Sequence, residues 1–171
     1  MDIISHGLRG GIAFGRKNKK QFWLSFAFGI LPDFVAFGFP VAALIFGMIF
    51  LWWSRPTISG VQNIPGAEYI GAIYTVSHSL VVRAAAFLLM RLIFRKPVRA
   101  SFARLFHILL DIPTHSLAFY ATPFLRPISN YRVNGIPRSN AVILYPDIAL
   151  LIIVYGIYRW RKYRKKKHSL K

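Results

Sequence analysis

The sequence contains no cysteine, and only 5 of its 171 residues are acidic. Without thiols the chain forms neither disulfides nor thiolate-bound metal sites, so a bound metal has to rest on imidazole and carboxylate. The few acids stand against 23 Lys and Arg, a formal charge of +18. No β-type alternation of apolar and polar residues is sustained anywhere, which points to an all-α fold. Charge itself is missing from one long stretch. From Gln21 to Ser54 the only ionisable acid or base is Asp33, and from Phe34 to Ser54 there is none.

What is there in quantity is apolar: 55% of the chain, with 15 Phe, 8 Tyr and 4 Trp. An uncharged apolar run of about 20 residues crosses a bilayer core as a helix. The chain therefore reads as an integral membrane protein. The basic residues flank the apolar runs, as "GRKNKK", "RKPVR" and "RWRKYRKKKHSLK". That placement is the mark of cytoplasmic flanks, which also attract anionic headgroups. Nucleic acid, the other common partner of such a charge, is not expected from this distribution. No cleavable signal peptide is expected, because the first apolar run starts late and is too long.

The chain reads as one domain, 1–171, with a basic cytoplasmic tail at 159–171. Residues 1–20 form a lead-in, an interfacial helix loosened by Gly10, Gly11 and Gly15. Residues 21–31 are an apolar segment that Pro32 ends or kinks, and residues 34–54 a first spanning helix. A polar loop, "RPTISGVQNIPG", follows. Residues 68–94 form a second long helix, interrupted by His78, Arg83 and Arg91. Residues 100–112 are helical up to Pro113, and residues 121–141 form an ordered loop rich in Pro, Arg and aromatics. Residues 142–160 are the last apolar helix. If the three basic clusters share the cytoplasmic side, the expectation is a bundle of about four apolar helices with both termini inside. The third carries Arg104, His107, Asp111 and His115, and either spans or lies in the interface.

Ionisable groups within apolar segments are costly and mark function. Here they are His6, Asp33, His78, His107, Asp111 and His115, with Asp147 a weaker member. His107, Asp111 and His115 recur every fourth residue in "RLFHILLDIPTHSLAF", so on a helix they lie in one line. A divalent cation explains them, since imidazole and carboxylate are ligands and the cation offsets the buried charge. Asp33 and His78 complete such a site, and His6 and His115 flank it with room for a second ion. Zinc is expected first, with manganese and iron also suited. Each residue also has a plainer reading: a core histidine with a hydrogen bond, or Asp33 capping a helix that begins at Phe34. Depth poses a problem, because His78 lies 17 residues before Arg95 while Asp33 and His107 lie nearer the basic flanks. Either the second helix breaks near Ser77 or the site sits at mid-membrane depth.

The ordered stretches "MDIISHGLRGGIAFG", "GILPDF", "TVSHSL", "HILLDIPTH" and "TPFLRPISNYRVNGIP" resemble the LexA-regulated, membrane-bound predicted metal-dependent hydrolases, over nearly the whole chain. The resemblance implies an inner-membrane protein with a helical core like zinc-dependent phospholipase C and the single-strand nucleases. By that similarity Asp33, His78, His107 and Asp111 form one metal site, and His6 joins Asp111 at a second. After His115 no further His/Glu ligand pair follows, so one or two ions are expected.

The expected function is hydrolysis of a phosphoester in or near the membrane, by metal-activated water. Asp33, Asp111 or His115 would accept the proton. Arg83 and one of Arg126, Arg132 and Arg138, with Arg132 preferred, would meet the substrate's anionic group. Against that, Arg83 and Arg91 have plainer readings: an ion pair with Asp147 or reaching to headgroups. The alternative function is a non-enzymatic membrane protein that binds or conducts a divalent cation through the same ligands.

Overall fold

The computed structural model describes residues 3–54, 67–118 and 120–168. Six α-helices appear in the order α1 (Ile3–Phe14), α2 (Lys19–Phe50), α3 (Ala67–Ser77), α4 (Leu80–Phe94), α5 (Phe102–Thr114) and α6 (Ala141–His168). No strand element occurs among the described residues. The expected all-α fold is thus the observed one. The loop "RPTISGVQNIPG" lies outside the described residues.

Among the described residues two helices, Lys19–Phe50 and Ala141–Arg164, are long and apolar enough to cross a membrane. The pair α3–α4 qualifies as a third only when taken together, bent by 59° at its break. Of the four expected helices the third, expected either to span or to lie in the interface, is α5, whose 13 residues cover about 20 Å at helical rise, short of a bilayer core. Phe39, Phe46, Phe50, Leu92, Val142 and Ile152 all point outward, the arrangement of side chains that face lipid rather than water.

The two expected apolar segments 21–31 and 34–54 are one helix, because Pro32 and Pro40 both lie inside α2. In an apolar surrounding a helix carries a proline when neighbouring groups take up the freed backbone positions. Asn18 starts α2 by accepting the Gln21 N–H at 2.8 Å on its side chain, a standard N-cap. Asp33 lies well inside the helix and caps nothing.

α1 is no loose interfacial lead-in. Its Ser5, His6, Gly7, Arg9, Gly10, Gly11 and Ile12 are buried, and its glycines serve close packing. A Cβ on Gly10 would lie 2.7 Å from the Ser25 carbonyl oxygen, and one on Gly29 2.6 Å from that of His6. Small residues of this kind let helix backbones approach where lipid gives no hydrophobic drive. α1, α2 and α5 therefore meet closely, with Ala103 of α5 against Gly10.

The basic clusters gather at one end of the molecule. Phe14, next to "GRKNKK", packs on Phe102 at 6.1 Å between ring centroids, just after "RKPVR". Arg16 and Arg161 border one groove there. α6 attaches through Tyr155, whose hydroxyl donates to the Leu8 carbonyl at 3.0 Å, and through Asp147.

Candidate metal centre

The second apolar helix breaks at the residue the site needs. α3 ends at Ser77, and Ser79 caps α4 by accepting the Val82 N–H on its hydroxyl at 3.1 Å. His78 sits in the gap, fully buried. Of the two expected alternatives, the break near Ser77 is the one present: the bend sets the His78 ring against Asp33 of α2 and His107 of α5.

Asp33, His78, His107 and Asp111 each offer one ligand atom, and these atoms lie within 4.8 Å of one another. His107 Nε2 is 3.0 Å from Asp111 Oδ2, and His78 Nε2 is 3.3 Å from Asp33 Oδ1. The two Nε2 atoms face each other at 3.2 Å. All four residues are at most 1% exposed. His107 and Asp111 come from one face of α5, as the four-residue spacing requires.

The residues fit a cation, and the reason lies one bond further out. His107 Nδ1 donates to the Gly29 carbonyl at 2.6 Å. Ser77 Oγ donates to the Tyr74 carbonyl, which leaves it to accept from His78 Nδ1 at 2.9 Å. With both Nδ1 atoms carrying the proton, both Nε2 atoms present lone pairs. They converge on two carboxylates whose four oxygens have no hydrogen-bond partner. Nitrogen lone pairs and carboxylate oxygens this close repel unless a positive charge lies between them. The short N···O separations are thus the edges of a cation site rather than hydrogen bonds. Tyr74 stacks on the His78 ring at 3.8 Å and fixes its plane. A buried cluster of two Asp and two His can hold a metal ion.

His6 and His115 flank this set through Asp111. His6 Nε2 is 3.1 Å from Asp111 Oδ1, the oxygen turned away from His107. Burial, with the neighbouring His107, lowers the His6 pKa to about 4 against the opposing pull of Asp111, so the ring is neutral near pH 7. Its lone pair receives Arg138 Nη1 at 3.0 Å. A guanidinium therefore stands beside the position where a second ion was expected. His115 ends α5 in extended backbone, with Nδ1 3.1 Å from the Asp111 carbonyl and 3.6 Å from Asp111 Oδ1. Burial lowers its pKa, with Asp111 opposing.

Arg138 is the residue that sequence reasoning underrated. The loop before α6 pairs with the end of α5: Gly135, Ile136 and Arg138 donate to the carbonyls of His115, Pro113 and Thr114 at 2.8, 3.0 and 3.1 Å. Those carbonyls are left over where a helix ends. The pairing delivers Arg138 to Ser5, His6 and Asp147, and Asp147 also binds Arg9. Asp147 is thus the partner of Arg9 and Arg138, not of Arg83 or Arg91. Arg83 is buried, donating to the carbonyl and hydroxyl of Ser101 at 2.7 and 3.1 Å and lying over Phe87. Arg132 is exposed on the loop, near enough for its charge to act on Tyr74. The runs "SHS" and "NGIPR" carried the only signals for the helix break and the returning loop.

Compared with family models, curated proteins and solved structures, the chain matches none.

Proposed function

We propose that the protein is a membrane-embedded, metal-dependent hydrolase acting on a phosphoester, with its basic end and both termini in the cytoplasm. The observation that carries the reading is the convergence of Asp33, His78, His107 and Asp111 in an apolar interior. One divalent cation offsets the two carboxylate charges, which makes the burial affordable. When bound, the metal supplies Lewis acidity and lowers the pKa of a coordinated water; zinc suits the ligand set best.

The chain's own residues supply the rest. Ser77 and the Gly29 carbonyl hold the two imidazoles in the ligating tautomer. His115 donates from Nδ1 to the Asp111 carbonyl, which leaves its Nε2 as the atom that would accept the proton of the attacking water. Arg138, held by His6, Ser5 and Asp147, places positive charge on the same side, which favours an anionic phosphoryl group. Arg132 extends the positive field over the loop, and Arg83 supports the fold through Ser101.

The burial of all four ligands favours a second reading, a protein that holds or conducts a divalent cation without catalysis, because closed four-ligand sites are common for structural metals. Purified protein, loaded with zinc or manganese in detergent, is assayed on a chromogenic phosphodiester and on phospholipid. Hydrolysis that disappears in Asp111→Ala supports the enzyme. Stoichiometric metal without hydrolysis of any phosphoester favours the second reading.

A further inference from the structure

We propose that the groove between α1 and α6 binds one anionic phospholipid, with the phosphate held by Arg16 and Arg161 and an acyl chain lying along α6. The groove has a volume of about 350 Å³. Ile12, Phe106, Leu150, Val154 and Ile157 make its walls apolar, and Arg16 and Arg161 form a basic mouth. None of its lining residues belongs to the metal cluster.

Three observations select the occupant. First, the apolar stretch of α6 buries none of its residues against the protein, so the groove wall must be covered by something apolar. In a membrane the available apolar matter is the acyl chain.

Second, the two arginines at the mouth are exposed and the chain has few acids to offer them. Of its 5 acids, Asp33 and Asp111 serve the cluster, Asp147 binds Arg9 and Arg138, and Glu68 lies on α3. Asp2 precedes the described residues. The guanidinium fork matches a phosphate oxygen pair, and a positive mouth selects an anionic over a zwitterionic headgroup.

Third, the mouth lies at the end where the basic clusters gather, the level at which headgroups sit. Arg9, five residues before the end of α1 and so about 8 Å deeper than that end, is already held by Asp147. The bound phosphate is thus kept away from the cluster, and this lipid is not the substrate. The proposal stands whether or not the protein is a hydrolase.

The test uses the full chain in nanodiscs of equal parts phosphatidylglycerol and phosphatidylcholine, released into native mass spectrometry. The expected result is one phosphatidylglycerol retained per chain and no retained phosphatidylcholine. The double variant Arg16→Gln, Arg161→Gln should weaken phosphatidylglycerol binding by roughly 30-fold, the combined weight of two surface arginines. Val154→Trp should expel the lipid by filling the groove while keeping both arginines. Equal retention of the two lipids, or unchanged retention in the double variant, overturns the proposal. So does a lipid-free dimer that Val154→Trp dissociates, which would make a second copy the occupant. Metal content reports folding of the variants independently, and if Val154→Trp fails to fold, the exposed arginine pair decides the matter alone.

Discussion

The Gly29 carbonyl of α2 accepts a hydrogen bond from His107 Nδ1 of α5 at 2.6 Å. This bond sits where Pro32 removes one bond from the helix ladder: Pro32 has no N–H for the Phe28 carbonyl, and the next carbonyl, that of Gly29, is the one turned to histidine use. A backbone group thus orients a ligand, and the absence of a Cβ at Gly29 lets α1 bring His6 beside it.

Gly29→Ala tests the approach. The new methyl meets the backbone of His6, which cannot swing aside as a side chain does. The variant should lose roughly 1–3 kcal/mol, the usual cost of overpacking, together with metal. Thermal unfolding in detergent and metal analysis read the two effects, and unchanged values in both would mean α1 is not pinned at this point.

Asp111→Ala should abolish activity and lower metal content together, since Asp111 alone reaches both His107 and His6. Metal content equal to wild type would make this carboxylate structural. Arg91→Ala serves as the control, because its side chain is exposed, and should leave both readouts unchanged.

His115→Ala separates chemistry from metal binding. His115 stands outside the four-residue set, so the ion should remain while turnover falls by roughly 10²–10⁴-fold, the usual weight of a general base. A parallel loss of metal would instead identify it as a ligand.

Ser77→Ala removes the acceptor that holds the His78 proton on Nδ1. Metal affinity should fall by about 10–100-fold, as for other partners that orient ligands, with the fold intact. Competition against a fluorescent chelator measures it, and an affinity equal to wild type would show that Tyr74 alone orients the ring.

Chelation should lower the unfolding temperature of the wild type far more than that of Asp111→Ala. A ligand at a thousand times its Kd stabilises by about 4 kcal/mol, and the variant has little of this to lose. Equal shifts for both would place the stabilising ion elsewhere.

Much of the site was legible in the order of residues. Charged groups inside apolar runs are too costly to be idle, which singled out Asp33, His78, His107 and Asp111 before any fold was known, and helical periodicity put His107 and Asp111 on one face. The all-α class followed from the absence of β-type alternation, and the membrane helices from run length, which is set by bilayer thickness. Sequence could not decide what depends on distant partners. Pro32 read as an end or a kink, and α2 continues through it, because the surrounding helices tolerate the lost bond. The apolar run 68–94 left open whether it breaks near Ser77; it bends at His78, because Ser79 caps a new helix and the cluster draws the ring inward. The glycines of α1 read as looseness but are contact points, a distinction visible only once α2 lies against them. Asp147 took Arg9 and Arg138 as partners because the returning loop pairs with the end of α5. Local composition sets what a segment can be; which carbonyl, ring or guanidinium it meets is decided when the segments pack.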